Sequence, residues 1–523
     1  MTITFRVLNN LNEQLNEPKQ KLVLLKASDW DDYRFKTSFQ ATFYNERGEQ
    51  LDLGTVKIGY TNQPHGWTLN KIPEFFNNLP DGWFSLGQDV EYYQRIIELT
   101  PENKDYYLRG LGDIVADKDL LRIAQNEQVL SQSLMRGVSL SVIYGQFRRV
   151  LNGEVILTDF RFAFRASGDD RNAPINIDFR VKPASKPSTN VHVLIGRNGI
   201  GKTTLLNSMV NAIIHKGKTG ETQGCFYEID HWNYSSSLLS SEYFSSVVSV
   251  SFSAFDKFIP PPDQPDRARG VAYFYIGMKK TRIGDINSDQ KSQKTDIDLI
   301  DDFIESLKSC LSQPAKRDRW LTAIKRLESD SNFADMALGE LLDIDSNSAI
   351  QKARSLANGM SSGHSIVLLT ITKLVDTVEE KTLVLMDEPE SHLHPPLLSA
   401  FTRAISDLLH NRNGVAIIAT HSPVVVQEVP RSCVWKLTRL GNEGRSDRPE
   451  RETFGENVGV LTREIFGLEV TKSGFHDMLQ QAVNEGGTFE SIMEDYNGQL
   501  GFEAQGILRV LITARDAANN NSQ

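Results

Sequence analysis

Residues 196–203 read Gly-Arg-Asn-Gly-Ile-Gly-Lys-Thr, a match to the pattern G-x-x-x-x-G-K-[ST]. Glycines at this spacing let successive backbone N–H groups turn inward on a phosphate chain, because no Cβ stands between backbone and anion. Lys202 then brings a point charge to the β- and γ-phosphates, and the Thr203 hydroxyl a ligand for Mg²⁺. Gly196, Asn198, Gly199, Gly201, Lys202, Thr203 and Thr204 are therefore expected to bind ATP. A chain of this length carries the bare pattern by accident only about 2% of the time. A plain glycine-rich turn explains neither Lys202 nor the flanking elements, the apolar strand VHVLIG before the loop and the helix TLLNSMVNAIIH after it.

Far downstream, the apolar run Leu383-Val-Leu-Met delivers two adjacent carboxylates, Asp387 and Glu388. Alone, such a run followed by acids is better read as a solvated turn. Paired with a phosphate loop, Asp387 is expected in the Mg²⁺ shell and Glu388 as the base that polarises an attacking water. Between the two lies Met360-Ser361-Ser362-Gly363-His364, which opens the helix SIVLLTITKLV and in isolation is most simply a helix cap. A fourth piece, Thr420-His421-Ser422, follows the apolar strand GVAIIAT. The segment Glu390-Ser391-His392-Leu393-His394-Pro395 offers a His-x-His spacing, but a metal reading lacks an identifiable third ligand.

Several elements must position these residues. Residues 20–60 alternate in short antiparallel strands broken at NERGEQ, and 62–135 turn helical, with the aromatic-rich piece WFSLGQDVEYYQRIIEL. Strand character returns in EVILTDFRFAF, and SSVVSVSF at 245–252 reads as a buried strand. Residues 281–296 are polar, and 297–358 are helical, with Ile300, Phe303, Leu307 and Cys310 on one face. Buried strands separated by helices indicate an α/β sheet interrupted by a helical lobe.

The chain has 523 residues, a net charge of −10, 40% hydrophobic and 24% charged residues. That balance argues against a protein that coats nucleic acid by bulk attraction. No apolar run approaches the roughly 18 residues of a membrane helix, and MTITFRVLNNLNEQ is too polar for a signal peptide. Cys225, Cys310 and Cys433 are scattered, as in a reducing cytoplasm. A cytoplasmic protein without membrane contact is expected.

Taken in order, the four motifs resemble those of ABC ATPases of the SMC/RecF/OLD-like group rather than transporters. The resemblance implies an α/β ABC-type P-loop head with a mixed sheet and antiparallel N-terminal strands, helical insertions and a mostly helical C-terminal region. It implies that Ser361, Ser362 and Gly363 form a signature contacting the ATP of another subunit. It also makes His421 the switch histidine, puts Ser391 and His392 in the D-loop at a dimer seam, and makes the assembly a head-to-tail homodimer or a higher oligomer. Ser362 stands where glycine is usual and His364 where glutamine is usual, and the segment SFSAFDKF lacks a clear Q-loop glutamine. The wording DEPESHLHPP, MSSGHS and ETFGENVGVLTREIFGLEVTKSGFH is similar to the ATPase subunit of Septu-type antiphage systems and to retron-associated ATPases. That likeness implies a separate HNH-type nuclease partner. Residues 424–523 hold no Asp-x-Asp; those at 296–298 and 343–345 fall in the helical lobe, so a nuclease on this chain is disfavoured.

The domain reading is a β lobe of the ATPase at 1–61, a helical arm at 62–135 and the first half of the core at 136–280. A signature lobe at 281–365, the second half of the core at 366–430 and a docking region at 431–523 follow. The basic stretch Lys316, Arg317, Arg319, Lys325 and Arg326, with Arg148-Arg149 and Lys279-Lys280, leaves DNA contact as a minor alternative, in which the chain is a repair or chromosome-maintenance ATPase that clamps DNA itself.

Overall fold

The computed structural model describes residues 3–10, 20–153, 159–168, 173–214, 224–230, 236–240, 242–253, 258–265, 270–280, 293–440, 443–471 and 474–520. Most of the polar 281–296 segment and the first half of EVILTDFRFAF lie outside them. Among the described residues, no helix is long and apolar enough to cross a membrane.

The described residues between 3 and 151 build a sheet and core of their own. Six strands lie in the order Phe75–Phe76, Thr4–Leu8, Leu22–Ala27, Ser38–Tyr44, Gln50–Tyr60 and Trp83–Gly87. Helices Val90–Ile97 and Pro101–Gly110 pack with them around Phe5, Val23, Phe39, Phe84, Tyr92 and Tyr107. The structure thus corrects two boundaries. Residues 1–61 are not a lobe of the nucleotide-binding sheet, and 62–135 is not a helical arm. WFSLG is a strand paired antiparallel with Gln50–Tyr60, and the helix begins only after Asp89, whose side chain caps it by accepting the Tyr92 N–H. Helical spacing alone does not register that cap, because a capping acid leaves the apolar period unbroken. The unit leans on the rest of the chain through ion pairs, with Arg319 and Arg412 at 3.0 and 3.5 Å from Glu91 and Arg149 at 2.9 Å from Glu380.

The second unit is an α/β fold built on a mainly parallel sheet. Its main sheet has seven strands in the order Ala272–Gly277, Ser246–Ser251, Thr382–Asp387, Val415–Thr420, Val191–Ile195, Val434–Leu440 and Glu443–Asp447. The first six run parallel and the last is antiparallel. Four inner strands, at 191, 246, 382 and 415, are buried along their whole length, as both-face coverage demands. One face carries helix Lys202–Ile214 and an antiparallel sheet that includes Phe160–Ala166, Ile175–Val181 and Cys225–Ile229. The other carries helix Ser362–Thr377, helix Pro395–Arg412 and the helical lobe, where Phe303, Leu307 and Cys310 enter the core as their spacing predicts. The strand Val434–Leu440 pairs with Val191–Ile195, so the start of the supposed docking region belongs to the nucleotide-binding sheet. The helices that follow, Phe475–Asn484, Phe489–Asp495 and Phe502–Asn520, share a small core around Leu479, Val483 and Leu508.

Candidate functional site

In an open parallel sheet, ligands bind beyond the carboxyl ends of the strands, where helix N-termini and loops converge. Three of the sequence motifs sit at that edge. Register places Ile195 beside Thr420 and Asp387 beside Ala419, so the glycine loop, the carboxylate pair and His421 leave adjacent strands at the same level.

The loop from Gly196 to Gly201 is built for close approach. Gly199 and Gly201 have φ of +79° and +99°, a region L side chains rarely adopt, and the space where a Cβ would stand is open. A Cβ on Gly196 would lie 2.6 Å from the Leu437 carbonyl oxygen. Asn198 and Thr204 are exposed, and Thr203 and Thr204 line a cavity of about 550 Å³. Its other walls are Phe164 and Ile175 of the antiparallel sheet, Asn207 and Asn211 of the helix, and Leu437 and Arg445 of the C-terminal hairpin. Lys202 is only 4% exposed, and its ammonium donates to the carbonyls of Gly196 at 3.0 Å and Arg197 at 3.2 Å. Burial pulls its pKa below the ordinary lysine value, and the carboxylates of Glu388, Asp387 and Glu390 oppose the shift. A buried ammonium facing these carboxylates, open glycines and a 13-residue helix beginning at Lys202 are chemically suited to a Mg²⁺-bound phosphate chain.

Asp387 is buried at the end of its strand. Glu388 follows in the left-handed region at φ +45°, a conformation that costs a non-glycine residue about 1–2 kcal/mol. Three hydrogen bonds hold it there: its N–H donates to Ala419 O at 2.8 Å, and its carbonyl accepts from Ser391 N–H at 3.2 Å and Ser391 Oγ at 3.0 Å. The strained turn aims the Glu388 carboxylate toward His421, whose Nδ1 lies 3.7 Å from Oε1.

Glu390 follows Pro389 in the segment after the acidic pair. In the structure its side chain is 8% exposed. Oε1 accepts from Thr420 Oγ1 at 2.6 Å and His421 N–H at 2.7 Å, and lies 3.0 Å from His421 Nδ1. One carboxylate thus clamps the histidine turn to the turn carrying Glu388. The available signal was a second acid two residues after Glu388, held close by Pro389.

Ser361 and Ser362 are exposed at the start of helix Ser362–Thr377, and Gly363 is buried. A Cβ on Gly363 would meet the His392 carbonyl oxygen at 2.4 Å, so the start of helix Ser362–Thr377 lies directly against the backbone at His392. Among the described residues, none of the three lines the cavity beside the glycine loop. Ser391 and His392 are exposed. His394 turns to Asp330, at 3.2 Å, rather than joining His392 around a metal. Of the segment SFSAFDKF, in which no Q-loop glutamine stands, residues 254–257 lie outside the described residues. The basic stretch is largely neutralised within the chain: Lys316 pairs with Asp376, Arg319 with Glu91 and Arg326 with Asp407. Arg149 and Lys280 pair with Glu380 and Asp298.

A parallel sheet whose central strands end in a glycine-rich loop, an acidic pair and a histidine has the layout of a P-loop nucleotide-binding fold. Residues 228–427 match the AAA_21 family model, described as "AAA domain, putative AbiEii toxin, Type IV TA system". The chain belongs to the family of protein ea59 of Escherichia phage lambda, with which it is 46% identical over 510 residues, 94% of this chain and 95% of that protein. Solved structures with a distant likeness include the ADP conformation of MJ1267, an ATP-binding cassette of an ABC transporter. It is 13% identical, with a TM-score of 0.30 over 61% of this chain and 100% of that one. UvrA2 from Deinococcus radiodurans is 13% identical, with a TM-score of 0.29 over 58% of this chain and 40% of its own.

Proposed function

We propose that the chain binds Mg-ATP in the loop 196–204 and hydrolyses it at the seam of a head-to-tail dimer. The convergence of Lys202, Asp387, Glu388 and His421 at one sheet edge is the observation that carries this reading. Gly196, Asn198, Gly199, Gly201, Lys202, Thr203 and Thr204 hold the phosphates, and Thr203 with Asp387 holds Mg²⁺. When bound, the ion neutralises charge on the phosphate oxygens. Glu388 takes the proton of the attacking water, and His421 steadies the same region from the neighbouring strand. Exposed Ser361 and Ser362, which line none of their own chain's cavity, complete the site of a second subunit, with Gly363, Ser391 and His392 at the seam.

The test is direct. Lys202→Ala removes the point charge of the cradle, so ATP affinity should collapse while thermal unfolding shows an intact fold. Unchanged ATP binding, measured by titration with a fluorescent nucleotide, would remove the basis of the assignment. Glu390 gives an independent check. Glu390→Ala leaves the Thr420 hydroxyl and His421 N–H without their acceptor, which should cost about 1–3 kcal/mol of stability. Turnover should fall with ATP binding retained, because His421 loses its anchor and Lys202 does not. Wild-type turnover in that variant would show that the histidine turn needs no clamp.

For the cellular role, the likeness to Septu-type ATPases supports control of a separate HNH-type nuclease by ATP-driven dimerisation. The matching family description names a toxin of a toxin–antitoxin system, and a harmful output restrained by an ATPase cycle is the control this reading requires. The alternative, a clamp that grips DNA itself, is disfavoured by the internal pairing of the basic stretch. Co-purification with the products of neighbouring genes, followed by native mass measurement, tests the partner. Tight, salt-sensitive duplex binding by the isolated chain would favour the clamp.

A further inference from the structure

Asp330 lies in the helical lobe as the N-cap of the short helix Ser331–Asp335. Its side chain is 6% exposed, more enclosed than capping a surface turn requires. Oδ1 accepts the N–H groups of Asn332 at 3.0 Å and Phe333 at 3.2 Å, and lies 3.1 Å from His364 Nε2. Oδ2 lies 3.2 Å from His394 Nε2. The two histidines come from different motifs. His364 follows the signature glycine, and His394 ends the D-loop segment and precedes helix Pro395–Arg412. Burial works to raise the Asp330 pKa, but the His364 ring and the two backbone donors outweigh it and hold the carboxyl below the ordinary aspartate value.

His364 is the middle link. A carboxylate only accepts, so Nε2 carries the proton toward Asp330. Ser361 Oγ lies 2.6 Å from Nδ1 of the same ring, within hydrogen-bond distance. Ser361 occupies the N-cap of helix Ser362–Thr377 yet makes no side-chain cap bond, so its hydroxyl has been diverted from the usual work of a capping serine. The ring is held from another side by fully buried Phe333, with centroids 5.2 Å apart. Gly363, between Ser361 and His364, presses on the His392 carbonyl.

We propose that Asp330 is a positioning residue, fixing the signature serine through His364 and the D-loop through His394 so that both meet the partner subunit's ATP as one piece. The idea deepens the head-to-tail reading above and rests on it. A hydroxyl already held in one rotamer loses little freedom when the dimer closes, which favours reaction over loose contact. Because one carboxylate serves both segments, its loss frees both at once.

The full-length chain tests this with Asp330→Ala. ATP binding by the variant alone should match wild type, since the cradle is untouched, while ATPase activity should fall about 10–100-fold, the usual cost of losing a group that orients a functional histidine. Mixing Asp330→Ala with Lys202→Ala chains should restore turnover, because a mixed dimer pairs the intact cradle of the first with the intact signature of the second. If Asp330 merely supports its own chain's fold, the variant's ATP binding falls and mixing restores nothing, which overturns the proposal. Full activity of Asp330→Ala overturns it as well. Should Asp330→Ala fail to fold, Asp330→Asn, which keeps an acceptor for the cap but turns an amide to one histidine, carries the same measurements. A failure of the dimer reading itself is distinguishable, because mixtures of Gly363→Asp with Lys202→Ala chains would then also stay inactive.

Discussion

Glu388→Gln should bind Mg-ATP as wild type does and leave it unhydrolysed. The amide keeps the size of the side chain and its place in the left-handed turn, where the Glu388 N–H and carbonyl make the restraining bonds and the side chain makes none of them. Only basicity is lost, and removing a general base costs about 10²–10⁴-fold in rate. Asp387, buried one residue earlier, is untouched. Since each unhydrolysed ATP would bridge Lys202 of one subunit and Ser361 of the other, the variant should persist as a dimer of twice the chain's 58.8 kDa whenever Mg-ATP is present. Removing Mg²⁺ with a chelator should release it. ATPase rate and mass in solution, each with and without Mg-ATP, make the check. Near-wild-type turnover would remove Glu388 from the role of base. If the chain governs a nuclease, the trapped dimer should also hold that partner in a single activity state.

The parts of the site that could be read in the sequence are those written in one short stretch. The loop 196–203 announces itself because strand, glycines, lysine and helix follow one another without interruption. Asp387, Glu388 and His421 stand directly after apolar runs whose burial is complete in the structure. Glu390 was harder, because its meaning depends on Thr420 and His421, about thirty residues on, and no local pattern reports that Oε1 faces them. Asp330 was invisible for the same reason: it is an ordinary capping acid until the fold brings His364 and His394 to it from separate motifs. Chemistry carried by one turn is legible, and chemistry assembled across elements is not.

The same distinction runs through the fold. The alternating strands before residue 61 were recognised, but their partners were not. Phe5 pairs with Phe76 and Val56 with Gly87, and these long-range pairings close an independent sheet. The outer strand Glu443–Asp447, paired antiparallel with Val434–Leu440, escapes the strand pattern because EGRSD is polar, as an edge strand is apt to be. The basic stretch at 316–326 looked like a free charged face only because Asp376, Glu91 and Asp407 lie far away in the chain.

The signature offers the second large effect. Gly363 packs where a Cβ would stand 2.4 Å from the His392 carbonyl oxygen, well inside van der Waals contact. The obstacle is backbone, so it cannot rotate aside as a side chain could, and either the signature helix or the D-loop must shift. Gly363→Asp adds a carboxylate to that clash, at the N-terminus of a helix meant to face another subunit's phosphate. Homodimers of the variant should hydrolyse no ATP above background, although each chain, with its own cradle intact, still binds nucleotide. Lys202→Ala homodimers should be equally inactive for the opposite reason. When the two are mixed, one of the two composite sites in a mixed dimer combines the intact cradle of the Gly363→Asp chain with the intact signature of the Lys202→Ala chain. Turnover should therefore appear in the mixture where neither parent shows any, and rise with the fraction of mixed dimers measured by native mass. Proven mixed dimers without turnover would mean that signature and cradle do not meet across subunits, and Ser361 and Ser362 would need a role within their own chain.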